Sequence, residues 1–114
     1  GARIEFTSGG TRNYGIGVGG TVNATITGVE IKGGGSGEGV YATGEVTLDM
    51  TGVNISEVGT GVWVKQGTLT MNKGEIGFKG DYGVKVENGV TSARLTSVVI
   101  RGTSGQGTGV YVEN

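Results

Sequence analysis

Residues Gly39–Val64 read GVYATGEVTLDMTGVNISEVGTGVWV. Within this stretch Val46, Leu48 and Met50, then Val53 and Ile55, alternate with polar residues. Such period-two patterning marks strands with one buried and one exposed face. The stretch also ends on the phrase with which it begins: Gly, then Val, then a variable residue, then Val or Ala. The pattern is GIGV at Gly15–Val18, GVYA at Gly39–Ala42, GVWV at Gly61–Val64, GVKV at Gly83–Val86 and GVYV at Gly109–Val112. Successive starts are 24, 22, 22 and 26 residues apart. A period of this length belongs to solenoids, propellers or arrays.

The residues between the motifs align too. Thr21–Ile31 (TVNATITGVEI) matches Glu45–Ile55 without a gap, and Thr68–Met71 (TLTM) matches Thr47–Met50 (TLDM). An insertion after Met71 brings Ile76–Phe78 opposite Val53–Ile55. Ala93–Ile100 follows the same scheme, and Arg3–Phe6 has the form of a third strand from a preceding repeat. Each repeat therefore holds three short strands. A helix has no room between the glycines, and β-branched residues dominate the apolar positions. A propeller blade needs four strands in nearly twice this period. The pattern predicts an all-β, right-handed, single-stranded parallel β-helix of four to five coils, with residues 1–114 forming one segment. The hand follows from the rule for parallel crossovers.

Stacking the repeats predicts three walls with inward columns. Wall one buries Ile16/Val40/Val62/Val84/Val110 and Val18/Ala42/Val64/Val86/Val112. Wall two buries Ala24/Leu48/Leu69/Ala93 and Ile26/Met50/Met71/Leu95. Wall three buries Ile4/Val29/Val53/Ile76/Val98 and Phe6/Ile31/Ile55/Phe78/Ile100. Glycine, with 27 residues, then serves the corners, where positive φ or a sharp bend is needed: Gly44, Gly67 and Gly89 after wall one, and Gly28, Gly52 and Gly74 between walls two and three. The longest turns precede the motif. The chain opens inside a third strand and closes after a first strand, without the caps a solenoid needs. It therefore reads as a fragment of a longer solenoid, with open edges that predict end-to-end self-association.

Little chemistry is available to this chain. It has no histidine and no cysteine, which removes Ser-His-Asp, Cys-His and histidine-metal arrangements. Asp49 faces outward on wall two in a column with Thr25, Thr70 and Arg94, whereas Asp81 lies in a turn. Glu5 and Glu30 share an outward column of wall three that continues as Asn54, Gly77 and Val99. A lone carboxylate pair of this kind reads as a solvated edge more than a cation site. Gly15–Gly20 (GIGVGG) contains a GxG, yet no helix follows to place its N-terminus on a phosphate. Neither catalysis nor a cofactor nor a metal is expected. The net charge of −1 offers nothing to nucleic acid or an anionic membrane, and no apolar run reaches membrane-spanning length.

The outward column of wall one is the candidate site. It reads Gly17, Tyr41, Trp63, Lys85, Tyr111, a ladder of rings and one cation, and Tyr14 and Tyr82 extend it around the corner. Tyrosine and tryptophan lead at binding hot spots. The same ladder also stabilises neighbouring coils through ring and cation–π contacts. Sugar rings stack on such faces as well. Ice binding through Thr-x-Thr rows is hinted at by Thr25–Thr27 and Thr68–Thr70, but Thr47–Asp49 and Ala93–Leu95 interrupt the array.

The glycine-rich, cysteine-free coils, with phrases such as GVWVKQGTLTMNKGEI (Gly61–Ile76) and GTGVYVEN (Gly107–Asn114), resemble passenger domains of bacterial autotransporters. The resemblance spans the chain and rests on a fold motif that carries no catalytic residues. Among those passengers, the GVYV-type coils look most like the secreted vasoproliferative kind, which are similar in role to vascular endothelial growth factor. The resemblance implies export to the bacterial surface or beyond, and a host cell-surface receptor as partner. On this reading Tyr41, Trp63, Lys85 and Tyr111 are the contact residues. The alternatives are a structural stalk of an adhesin and a β-helix that binds or cleaves polysaccharide.

Overall fold

The computed structural model describes residues 2–7 and 13–113. Residues 1, 8–12 and 114 lie outside the described part, and Asn114, the last residue of the GTGVYVEN phrase, is one of them. Four short strands come first: β1 (Ala2–Glu5), β2 (Tyr14–Val18), β3 (Asn23–Thr27) and β4 (Val29–Lys32). Three long ones follow, β5 (Glu38–Val58), β6 (Thr60–Phe78) and β7 (Tyr82–Gly102), and then β8 (Thr108–Val112). Pairing throughout is parallel. Strands β2, β3 and β4 all pair with β5, so β5 is one extended segment that turns through all three walls. The result is a parallel β-helix of about four turns, with no helix among the described residues.

Walls one and two stack as the repeat predicts. Val40 pairs with Val62, Val62 with Val84, and Val84 with Val110. Ala24, Leu48, Leu69 and Ala93 form one column of wall two, and Ile26, Met50, Met71 and Leu95 the other. In the central coils these residues are excluded from water: Val40, Val62, Leu48, Met50 and Met71 are fully buried. Their dry central column is the main stabilising element, because burying each such side chain contributes about 1.5–3 kcal/mol.

Wall three differs from the sequence alignment by two residues in several coils. Its main column is Ile4/Ile31/Ile55/Ile76/Ile100. Val53 pairs with Gly74, and Gly74 with Val98, while Phe78 lies opposite Val58. No extra residue follows Met71. The irregularity comes later, between Ile55 and Val58, where β5 takes one residue more than β6. Gly74 resembles a corner glycine in sequence but does not stand at the corner. The corner is instead held by Lys73, whose φ of 58° matches the 64° of Gly28 and Gly52, and by Ser97 at 56°. A left-handed non-glycine residue costs roughly 1–2 kcal/mol, and the in-register pairing of both flanking strands imposes it here.

Four of the five motif glycines, Gly15, Gly39, Gly61 and Gly83, are required by contact, not by φ. A Cβ on Gly39 would lie 2.5 Å from Ile55 Cγ2 and 2.7 Å from the carbonyl oxygen of Gly61. On Gly83 it would lie 2.5 Å from Ile100 Cγ2 and 2.6 Å from the oxygen of Gly109. Gly15 and Gly61 meet Ile31 and Ile76 in the same way. The glycine column at the head of wall one thus seats directly on the isoleucine column of wall three.

Candidate functional site

Wall one carries the outward strip in register: Gly17 pairs with Tyr41, Tyr41 with Trp63, Trp63 with Lys85, and Lys85 with Tyr111. All four side chains of the expected site are half-buried. They make an organised surface because they pack on one another. The Tyr41 and Trp63 rings are 5.2 Å apart at 56°, Tyr14 lies 5.7 Å from Tyr41, and Tyr82 stacks on Tyr111 at 4.8 Å. Lys85 Nζ sits 4.5 Å from the Trp63 ring centroid and 5.2 Å from that of Tyr82. It therefore bridges the two ring clusters, each such contact being worth about 0.5–1 kcal/mol where exposed. Tyr14 reaches the strip because Gly17 has no side chain: a Cβ there would lie 2.5 Å from the Tyr14 ring.

Two residues of the strip escape a reading confined to one column. Lys65 Nζ lies 5.4 Å from the Trp63 ring and 5.7 Å from Tyr41. Its hydrogen bond with Tyr41 raises its pKa above the usual lysine value, and the Glu87 carboxylate adds to this. Glu87 Oε2 accepts a hydrogen bond of 2.6 Å from Trp63 Nε1. Both follow from the alternation itself, since residues 65 and 87 stand two places after Trp63 and Lys85 and so face outward too. They are easily passed over if a turn is assumed to begin after the motif, whereas β6 and β7 continue through it.

Wall three is held differently. Its outward column is Arg3, Glu30, Asn54, Glu75 and Val99, and Glu5 stands opposite Lys32. The expected Glu5–Glu30–Asn54–Gly77 column is therefore absent, displaced by the same two-residue shift. Basic residues occupy the space: Arg3 pairs with Glu30 at 3.2 Å and with Glu5 at 3.3 Å. Arg101 reaches Glu75 at 2.8 Å, and Lys79 reaches Glu57 at 2.6 Å. Lys79 holds the Glu57 carboxyl below the usual carboxylate value, chiefly by that hydrogen bond. Asn54 Oδ1 accepts from the Glu75 backbone N–H at 3.1 Å. Among the described residues no three His, Cys, Asp or Glu side chains are grouped to hold a metal ion.

Searches of protein-family models, of characterised proteins and of solved structures found no match to this chain.

Proposed function

We propose that the chain is a β-helix segment of an exported bacterial autotransporter passenger whose wall one docks on a host cell-surface receptor, with a growth-factor-like action on endothelial cells. The observation that supports this most is the strip itself. Tyr14, Tyr41, Trp63, Tyr82 and Tyr111 form a half-exposed aromatic surface fixed in advance by ring and lysine contacts. Rigid aromatic anchors of this kind concentrate binding energy because little freedom is lost on docking. The adjoining lysines supply charge to a partner's rim. Sugar stacking fits less well, because it needs an open ring face and Trp63 has Tyr41, Lys65 and Lys85 around it.

The test is binding of the chain to ectodomains of endothelial growth-factor receptors, with Trp63→Ala and Lys85→Glu as companions. The expected result is saturable binding weakened by both substitutions. A folded wild-type chain that binds none of these ectodomains removes the receptor reading. Binding that both variants leave unchanged removes wall one as the contact.

The second reading, a stalk that spaces other parts of an adhesin, is favoured by the same inter-coil ring contacts. Under it Trp63→Ala lowers thermal stability and has no binding to lose.

A further inference from the structure

Wall two carries a surface of a different kind. Its outward residues form a grid of four stacked rows: Asn23, Thr25, Thr27; Thr47, Asp49, Thr51; Thr68, Thr70, Asn72; and Ser92, Arg94, Thr96. All but Thr68 are exposed. Ten of the twelve are threonine, serine or asparagine, and the two charges both stand in the middle column, one row on either side of Thr70. Among the described residues no ion pair involves Asp49 or Arg94. Wall three behaves otherwise, since Arg3, Arg101 and Lys79 there all have carboxylate partners.

We infer that wall two is self-complementary and pairs two copies of the chain face to face, with their solenoid axes antiparallel. The two-fold axis runs along the Thr68–Asn72 row. Rotation about it places the Thr47–Thr51 row of one copy against the Ser92–Thr96 row of the other. Asp49 then faces the partner's Arg94, Arg94 faces the partner's Asp49, and Thr70 meets its own counterpart. One pair of charges thus yields two intermolecular ion pairs, as an isologous contact requires. The parallel arrangement sets Asp49 against Asp49 and Arg94 against Arg94, so the charges select one orientation by repulsion as well as attraction. Stacked sheets pack about 10 Å apart, a gap that an arginine and an aspartate span together, with the guanidinium fork suited to a carboxylate. Threonine and asparagine side chains fill the remainder with groups that both donate and accept.

The contact is small. Three strands of each copy, spaced by ~4.8 Å and five residues long, meet across the axis and cover about 240 Å². The total, about 500 Å², is less than half the lower limit of a standard interface, so the dimer is a weak one. It leaves wall one of both copies uncovered, and it stands or falls independently of the receptor reading.

Sedimentation velocity over a concentration series tests the pairing, with circular dichroism to establish that each variant is folded. The wild-type chain is expected to show a reversible monomer–dimer equilibrium that weakens with added salt. Asp49→Arg alone and Arg94→Asp alone are each expected to weaken dimerisation about ten-fold or more, and the double exchange to restore it. A wild-type chain that stays monomeric up to about 1 mM overturns the inference, since even a weak complex is populated there. Association that the single reversals leave untouched overturns it too, and points to another surface as the contact. So does a folded double exchange that fails to dimerise.

Discussion

Walls one and three solve the same problem with different chemistry. Each must hold successive coils in register from the outside. Wall one uses rings and lysines packed on rings, half-buried and touching from coil to coil. Wall three uses ion pairs whose side chains are 41–70% exposed. Exposed pairs contribute little and are screened by salt, whereas ring contacts add about 0.5–1.5 kcal/mol each beyond the area they bury. Wall three is therefore an adjustable polar surface, and wall one is a rigid one. Rigidity is what a binding strip needs, which is why the candidate site falls on wall one although wall three carries more charge. Inside the solenoid the two walls meet, where the motif glycines of one rest on the isoleucines of the other.

Breaking that internal joint should have the largest effect. Gly61→Ala places a methyl group against Ile76 and the Gly83 carbonyl. A cost of about 3 kcal/mol is expected, read as a fall in Tm of roughly 10 °C. Trp63→Ala should come next, at about 2 kcal/mol, because it removes the ring on which Tyr41, Lys65 and Lys85 converge. Denaturant titration measures it, and the loss should persist in 1 M salt if ring packing dominates. Lys73→Gly should move stability the other way, by about 1 kcal/mol, since it relieves a left-handed backbone at the corner between walls two and three. Arg101→Ala should cost least, no more than about 0.5 kcal/mol, and nothing measurable in 1 M salt. If Arg101→Ala proves as costly as Trp63→Ala, the contrast between the walls fails.

Much of this fold could be read from residue order. The Gly-Val motif recurs often enough to align wall one by eye, and Leu48, Met50, Leu69 and Met71 do the same for wall two. Those columns and the ladder from Tyr41 to Tyr111 stand where alternation puts them. Wall three was harder because its valines and isoleucines are interchangeable in pattern. A slip of two residues keeps every apolar side chain facing inward, so hydrophobicity alone does not choose between Val53 and Ile55 as the partner of Ile76. Glycine was an unreliable marker of the corner for a physical reason. Gly74 is there because the backbone of Val53 lies too close for a Cβ, while Lys73 and Ser97 accept the turn that glycine would adopt without strain. The ion pairs of wall three depend on that register and were hidden with it.

Register is the claim on which the walls, the strip and the wall-two grid all depend, and the cysteine-free chain allows it to be measured directly. Asn54 lies beside Glu75, and two residues further along the strand puts Gly77 out of reach of a disulfide, whose Cα atoms must approach within about 7 Å. Oxidation of the Asn54→Cys/Glu75→Cys chain should give an intramolecular disulfide in high yield under native conditions, and the Asn54→Cys/Gly77→Cys chain should remain reduced. The opposite outcome, with bridging only to position 77, would restore the alternative alignment of wall three and contradict the stacking described for it.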